Sequence, residues 1–227
     1  MNRTIQYAPA MAAEQQADFI LKTYAHLFGA ISGFVFIEYY LFTTGYAETI
    51  ARALLGVSWL MVLGGFILVA WLASRAAQSA KSASTQYLAL AAFVAAEAII
   101  FVPLLYIAES YAPGTIENAA VVTLLAFTAL TAVVFVTRKN FSFLQPFMMW
   151  GGMLAMGMIV FSVLFGSSLG LWFSAAMVLY AGGAVLFDTS KILHEYGPGQ
   201  HVAASLQLFA SIALLFWYVL MLFMGDD

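Results

Sequence analysis

Two carboxylates stand where a greasy sequence should exclude charge. Glu97 lies in AAEAIIFVP and Asp188 in VLFDTSKIL. An ionisable group in hydrocarbon costs about 2.5–3.5 kcal/mol on insertion scales, so each needs a physical reason. Glu97 has two readings: a protonated or hydrogen-bonded structural carboxyl, or a proton or cation relay. Pro103, further along the same stretch, removes a backbone donor and frees a carbonyl nearby. Asp188 falls at nearly the same depth as Arg75. It either caps a helix end and snorkels, or pairs with Arg75 and is released when its charge is lost. Glu38, beside Tyr39 and Tyr40, reads as an interfacial, solvated carboxylate. His26 reads as a histidine satisfied inside the structure, and His194 and His201 as solvated loop residues.

Motifs for catalysis fail on their surroundings, so no enzyme is expected. Gly166-Ser167-Ser168-Leu169-Gly170 matches GxSxG but falls between two apolar stretches, not on a strand-to-helix elbow. His194-Glu195 lacks a second histidine at the zincin spacing, because His201 comes too late. Paired intramembrane aspartates are missing, since Asp188 alone approaches a span interior. With no cysteine there is no disulfide, thiolate metal site or cysteine nucleophile. A net charge of −3 offers no basic patch for nucleic acid.

The elements that must hold these residues follow from composition. The chain is 64% hydrophobic and 8% charged over 227 residues, with a mean hydropathy of +0.95. Apolar runs of about 20 residues match a hydrocarbon core of about 30 Å. Strand alternation is absent, so the expected fold is an all-α integral membrane bundle of seven helices. The spans are expected near Phe19–Phe42, Ala53–Ala73, Gln86–Ala108, Ala119–Val136, Phe147–Phe165, Leu171–Phe187 and Ala203–Met224. Residues 1–18 form an N-terminal arm without the long apolar run of a cleavable signal peptide, and residues 19–227 form the membrane domain. Seven of the eight lysines and arginines fall in alternate gaps: Arg3 and Lys22, Arg75 and Lys81, Arg138 and Lys139, then Lys191. Only Arg52 falls on the other side, so positive-inside bias puts the N-terminus in the cytoplasm and the C-terminus outside. Glu48, Glu109, Glu117, Asp226 and Asp227 then make the outer side acidic. Gly29 and Gly33 form GxxxG, and Gly151 with Ala155 a small-xxx-small pair. Both read as helix packing inside the bundle, with a homo-oligomer face as the sharper alternative.

Three segments carry a resemblance. They are Phe19-Ile20-Leu21-Lys22-Thr23-Tyr24, Arg138-Lys139-Asn140-Phe141-Ser142-Phe143-Leu144 and Leu186-Phe187-Asp188-Thr189-Ser190-Lys191-Ile192. With their order and the seven-span layout, the chain resembles bacterial members of the Bax inhibitor-1 family, the transmembrane Bax inhibitor motif proteins. The resemblance implies a central helix ringed by the others, in a bacterial inner membrane. It also implies a pH-sensitive cation leak, chiefly for calcium, in some members. There, two carboxylates share a proton and an arginine of the second span latches one of them. Asp188 matches the first carboxylate, and Arg75 is the basic residue nearest the latch position. The second carboxylate does not carry over: Ser211 stands at that position, and Leu214 replaces a usual asparagine. The leading expectation is a leak with Asp188 and Arg75 as gate, Glu97 as a mid-membrane polar site and Ca2+ as the transported ion, without a cofactor. Its rival is a non-transporting protein that binds and modulates a membrane-anchored AAA protease, as some bacterial relatives do, through the N-terminal arm.

Overall fold

The computed structural model describes residues 13–79 and 82–225. Most of the arm (residues 1–12, including Arg3), Lys81, Asp226 and Asp227 lie outside the described residues. The helices are α1 (Ala13–Thr43), α2 (Tyr46–Leu55), α3 (Trp59–Ser79), α4 (Ala83–Tyr111), α5 (Thr115–Thr137), α6 (Gln145–Phe165), α7 (Gly170–His194) and α8 (His201–Met224). A 3-10 turn, Ser142–Leu144, leads into α6, and no strand occurs among the described residues. All but α2 are long and apolar enough to cross a bilayer, giving seven spans among the described residues. In hydrocarbon every backbone polar group must be satisfied internally, and these uncharged runs do so as helices.

Two boundaries differ from expectation. Helix α1 begins at Ala13, so the end of the arm continues the first span as helix. The second span begins at Trp59, because Tyr46–Leu55 forms a separate short helix. Gly45, at φ +78°, makes the turn between α1 and α2. Helix α2 is amphipathic. Its Ala47 and Ala51 are buried on Leu41 and Val102, and its Arg52 pairs with Glu48 at 2.5 Å on the open side.

Helix α8 is the central helix. Its buried residues extend from Val202 to Leu220, and it touches α1, α3, α4, α5 and α7. Helix α4 is the second inner helix, continuing unbroken through the buried Pro103. The peripheral helices turn large apolar side chains outward, such as Leu68 and Trp71 on α3 and Trp150, Leu154 and Phe161 on α6. Outward apolar surface of this kind is suited to lipid contact and not to water.

Small residues act mainly at the α6–α7 contact. A Cβ on Gly152 would lie 2.8 Å from the Tyr180 hydroxyl, and that hydroxyl donates to the Met148 carbonyl at 2.8 Å. Ala155 is the one buried residue of α6. The GxxxG of α1 is looser. Gly33 meets Val94 at 3.7 Å, and Gly29 has no neighbour within 4 Å.

The two ends of the bundle can be told apart by one long-range bond. Gln16, early on α1, donates to the Leu193 carbonyl at the end of α7 at 2.9 Å. Asp188 is five residues before Leu193, about 8 Å along the helix. Glu38 is 22 residues beyond Gln16, about 33 Å along α1. Asp188 and Glu38 therefore lie near opposite ends.

Candidate functional site

Asp188 anchors a buried polar layer. It is 3% exposed, and the Ser211 hydroxyl of α8 donates to its Oδ2 at 2.5 Å. Gln207, one turn earlier on α8, turns its amide to the same carboxylate. Lys191, nearly one turn further along α7, brings charge of the opposite sign. Its ammonium rests 5.3 Å from the ring centres of both Phe187 and Tyr196. Thr189 lies with Thr131 of α5 around the hydroxyl of Tyr24 on α1, although none of these three buried hydroxyls makes a hydrogen bond. Ser190 accepts the Phe141 backbone N–H at 2.9 Å. Thus Asp188, Thr189 and Ser190 reach three different parts of the chain. The three segments that carried the resemblance, separated in sequence, meet here. Phe19 of the first also sets its ring 6.4 Å from that of Tyr196.

Tyr196 sits in the turn between α7 and α8. Burial pushes its phenol well above the ordinary tyrosine value, helped by the negative charges of Asp188 and Glu195.

Arg75 does not join this layer. The inward positions of that turn of α3 are Ala73 and Ala77. Arg75 lies between them in sequence and so on the outward face. It is exposed, with its guanidinium 5.3 Å above the Trp71 ring. The ion pairs among the described residues are Lys22–Asp18 and Arg52–Glu48. The expected Asp188–Arg75 pair is therefore not formed in this structure.

Glu97 is 6% exposed on α4. It lines a cavity of about 580 Å³ between α3, α4, α6, α7 and α8. Gln207 and Tyr180 belong to the same wall, as does Ser74 beside Arg75. Gln207 is the side chain that links the cavity to Asp188. Glu97 and Gln207 thus line one cavity and Gln207 also faces Asp188, with Arg75 outside the group.

Glu38 corrects the sequence reading. It is 7% exposed, not solvated, and neither carboxylate oxygen has a hydrogen-bond partner. The reason is register. The buried positions of α1 are Phe19, Thr23, Leu27, Ala30, Glu38 and Leu41, a series at spacings that keep to one helix face. The neighbouring tyrosines suggested an interface, while the inward series was readable and pointed to burial. Thr123 on α5 was also missed. It is 2% exposed and its hydroxyl is likewise unpartnered.

Among the histidines, His201 is the one that departs most from expectation. His201 opens α8 and is half-buried, its ring 5.0 Å from that of His26. His26 stacks on Tyr87 at 5.2 Å and sets Nδ1 2.7 Å from the Lys22 carbonyl. His194 ends α7, with Nδ1 2.9 Å from the Ser190 carbonyl. Among the described residues no three His, Asp or Glu side chains are grouped closely enough to hold a metal ion.

Seven apolar helices with a buried central helix and a polar layer near one end define a multi-pass α-helical membrane protein. Residues 16–227 match the family model described as inhibitor of apoptosis-promoting Bax1, and the chain belongs to that family. Among curated relatives, it is 37% identical over 103 residues to "Modulator of FtsH protease YccA" of Escherichia coli K12, covering 41% of this chain and 43% of that one. It is 36% identical over 118 residues to a protein of Pseudomonas aeruginosa PAO1, covering 50% and 53%. It is 34% identical over 108 residues to Bax inhibitor 1 of Schizosaccharomyces pombe, covering 46% and 40%. The chain spans about half the length of the curated relatives it matches.

Proposed function

We propose that this chain is a bacterial inner-membrane protein that modulates a membrane-anchored AAA protease without transporting ions. The observation that carries this reading is the Asp188–Ser211 hydrogen bond. A proton-sharing switch needs a second acid at that point, because two close carboxylates resist ionising together. Here the facing group is a neutral hydroxyl that satisfies the aspartate, and Arg75 is turned away from it. The printed name of the Escherichia coli relative supports the choice of partner. The docking element is the N-terminal arm, residues 1–18, whose base is tied to the bundle by the Gln16–Leu193 bond. Co-reconstitution with such a protease in liposomes tests this. Degradation of a membrane-protein substrate should change several-fold when the full chain is present and should revert when residues 1–12 are deleted. An unchanged degradation rate with the full chain overturns the reading.

A cation leak is the second reading, favoured by Glu97 on a cavity wall that Gln207 shares with Asp188. Calcium-loaded liposomes should then leak faster with the protein than without it. Glu97→Gln and Asp188→Asn should both alter the rate. Absence of protein-dependent flux across about pH 5 to 8, the range in which histidine titrates, would sink it.

A further inference from the structure

Near the end of the bundle opposite Asp188 there is a second cavity, of about 470 Å³, bounded by α1, α4, α5 and α8. Helices α1 and α5 touch toward the Asp188 end, where the Tyr24 and Phe135 rings lie 5.9 Å apart, but their backbones do not come close. Val35 and Tyr39 of α1 and Leu124 of α5 line the cavity and are exposed, so it opens sideways between these two helices. Phe209 and Phe216 of the central helix line its inner side, and Phe34 and Phe42 line it from α1. Three carboxylates share this wall: Glu38 within it, Glu109 from the last turns of α4 and Glu117 from the first turn of α5. Glu109 and Glu117 are exposed, whereas Glu38 is buried. None of the three has an ion-pair partner among the described residues.

The polar groups inside lack partners. Both oxygens of Glu38 and the hydroxyl of Thr123, on the facing wall, make no hydrogen bond. Buried polar groups are normally paired, and an orphaned carboxylate is among the costliest exceptions. These two orphans, on separate helices, share one cavity.

We propose that this cavity is a binding site for a lipophilic ammonium, a primary amine carried on an apolar body. Each part of the ligand answers an observation. The N–H donors and positive charge satisfy Glu38, and Thr123 offers a further acceptor. Glu109 and Glu117 at the mouth raise the local concentration of cations. Aromatic walls receive the apolar body, and ring faces favour a nearby cation. The volume falls within the roughly 300–1,000 Å³ range of small-molecule sites. A chelated metal ion fits less well, because no three acidic or histidine side chains are grouped to hold one among the described residues. The sideways opening suits a ligand that arrives from the bilayer. Both a bilayer aminophospholipid and a free alkylamine carry this chemistry. The site is independent of the Asp188 layer and of either reading of its function.

The test uses the full chain in phosphatidylcholine nanodiscs, titrated with dodecylammonium, dodecanol or Ca2+ and followed by native mass spectrometry and thermal melting. Dodecylammonium should bind saturably and raise the melting temperature. Glu38→Gln should weaken that binding by roughly 30-fold, the scale of a lost charge-assisted hydrogen bond. Thr123→Val should weaken it by about 3-fold, a smaller loss for a neutral partner. Thr123→Val deletes an unpartnered hydroxyl and Glu38→Gln exchanges an unpartnered buried acid for a neutral amide, so both should melt no lower than the parent and lost binding is not lost folding. Equal binding of dodecylammonium to the parent and Glu38→Gln overturns the proposal, as does dodecanol binding as tightly. A Ca2+-induced shift that depends on Glu38, without one from dodecylammonium, overturns it in favour of a metal site. Adding phosphatidylethanolamine to the nanodiscs separates the sources. Competition that Glu38→Gln abolishes identifies an aminophospholipid, and unchanged affinity in the parent identifies a free amine.

Discussion

Asp188 and Glu38 are both buried carboxylates near the ends of long apolar helices, 3% and 7% exposed, yet their surroundings treat them oppositely. Asp188 receives a hydroxyl from Ser211, faces the Gln207 amide and has the Lys191 charge nearby. Glu38 receives nothing. The contrast separates two uses of a buried acid. At Asp188 the polar group is part of the architecture, joining α7 to the central helix while its neighbours Thr189 and Ser190 reach α1, α5 and the turn before α6. At Glu38 the acid is left for something the chain does not itself supply. Burial alone would have scored the two sites alike; partner bookkeeping tells them apart.

The largest test of this contrast is removal of each acid. Asp188→Ala strands the Ser211 hydroxyl and the Gln207 amide, so it should cost about 3 kcal/mol of stability. Glu38→Gln removes an unpaired buried acid and should be neutral or stabilising by up to about 1 kcal/mol in ligand-free protein. Thermal melts of both variants in phosphatidylcholine nanodiscs give the comparison directly. If Glu38→Gln costs as much as Asp188→Ala, the two acids have the same structural role and the contrast collapses.

A finer version compares the hydroxyls that face these acids. Ser211→Ala leaves Asp188 without its short hydrogen bond and should cost about 2 kcal/mol, the range for a hydrogen bond to a charged group. Thr123→Val keeps the side-chain shape and deletes a hydroxyl without a partner, so its cost should be near zero. The same melts decide it. Similar losses in the two variants would mean that Thr123 has a partner when the protein is in a bilayer.

How much of this was legible in the sequence depends on whether a feature is carried by one helix or by several. The spans were readable because a run such as Ala119–Val136 is apolar far beyond the needs of a soluble helix. Helix α2 was hidden because its apolar residues adjoin the next span, and only Gly45 and the Glu48–Arg52 pair mark it off. Ser211 was located at the right place opposite Asp188 by resemblance, and the geometry explains why that position matters. Arg75 was read from its depth alone, and depth carries no information about facing. Ala73 and Ala77 take the inward positions, and Arg75 between them cannot. Glu38 was legible in principle through the series Phe19, Thr23, Leu27, Ala30, Glu38 and Leu41. The cavities were not, because the one at Glu38 is bounded by four helices, α1, α4, α5 and α8, whose separation no single stretch of sequence encodes.

The smallest expected effect is alkaline and concerns Tyr196, at the Asp188 end. Burial, then the charges of Asp188 and Glu195, holds the Tyr196 phenol well above its ordinary value. An unfolded chain ionises tyrosine near pH 10, whereas the folded chain keeps this proton to higher pH. A raised folded value means that the contribution is complete below about pH 10 and is lost as pH rises toward the folded value, by at most about 1.4 kcal/mol per pH unit. Tyr196→Phe should therefore track the parent's pH dependence below about pH 9 and lose less stability above about pH 10. Because Asp188 supplies part of the effect, Asp188→Asn should shrink the parent's alkaline loss. Glu38→Gln, acting from near the other end of the bundle, should leave it unchanged. Melts recorded from about pH 8 to 11 read all three curves. A response to Glu38→Gln equal to that of Asp188→Asn would mean that the two ends are electrostatically coupled through the bundle, against the separation on which the comparison rests.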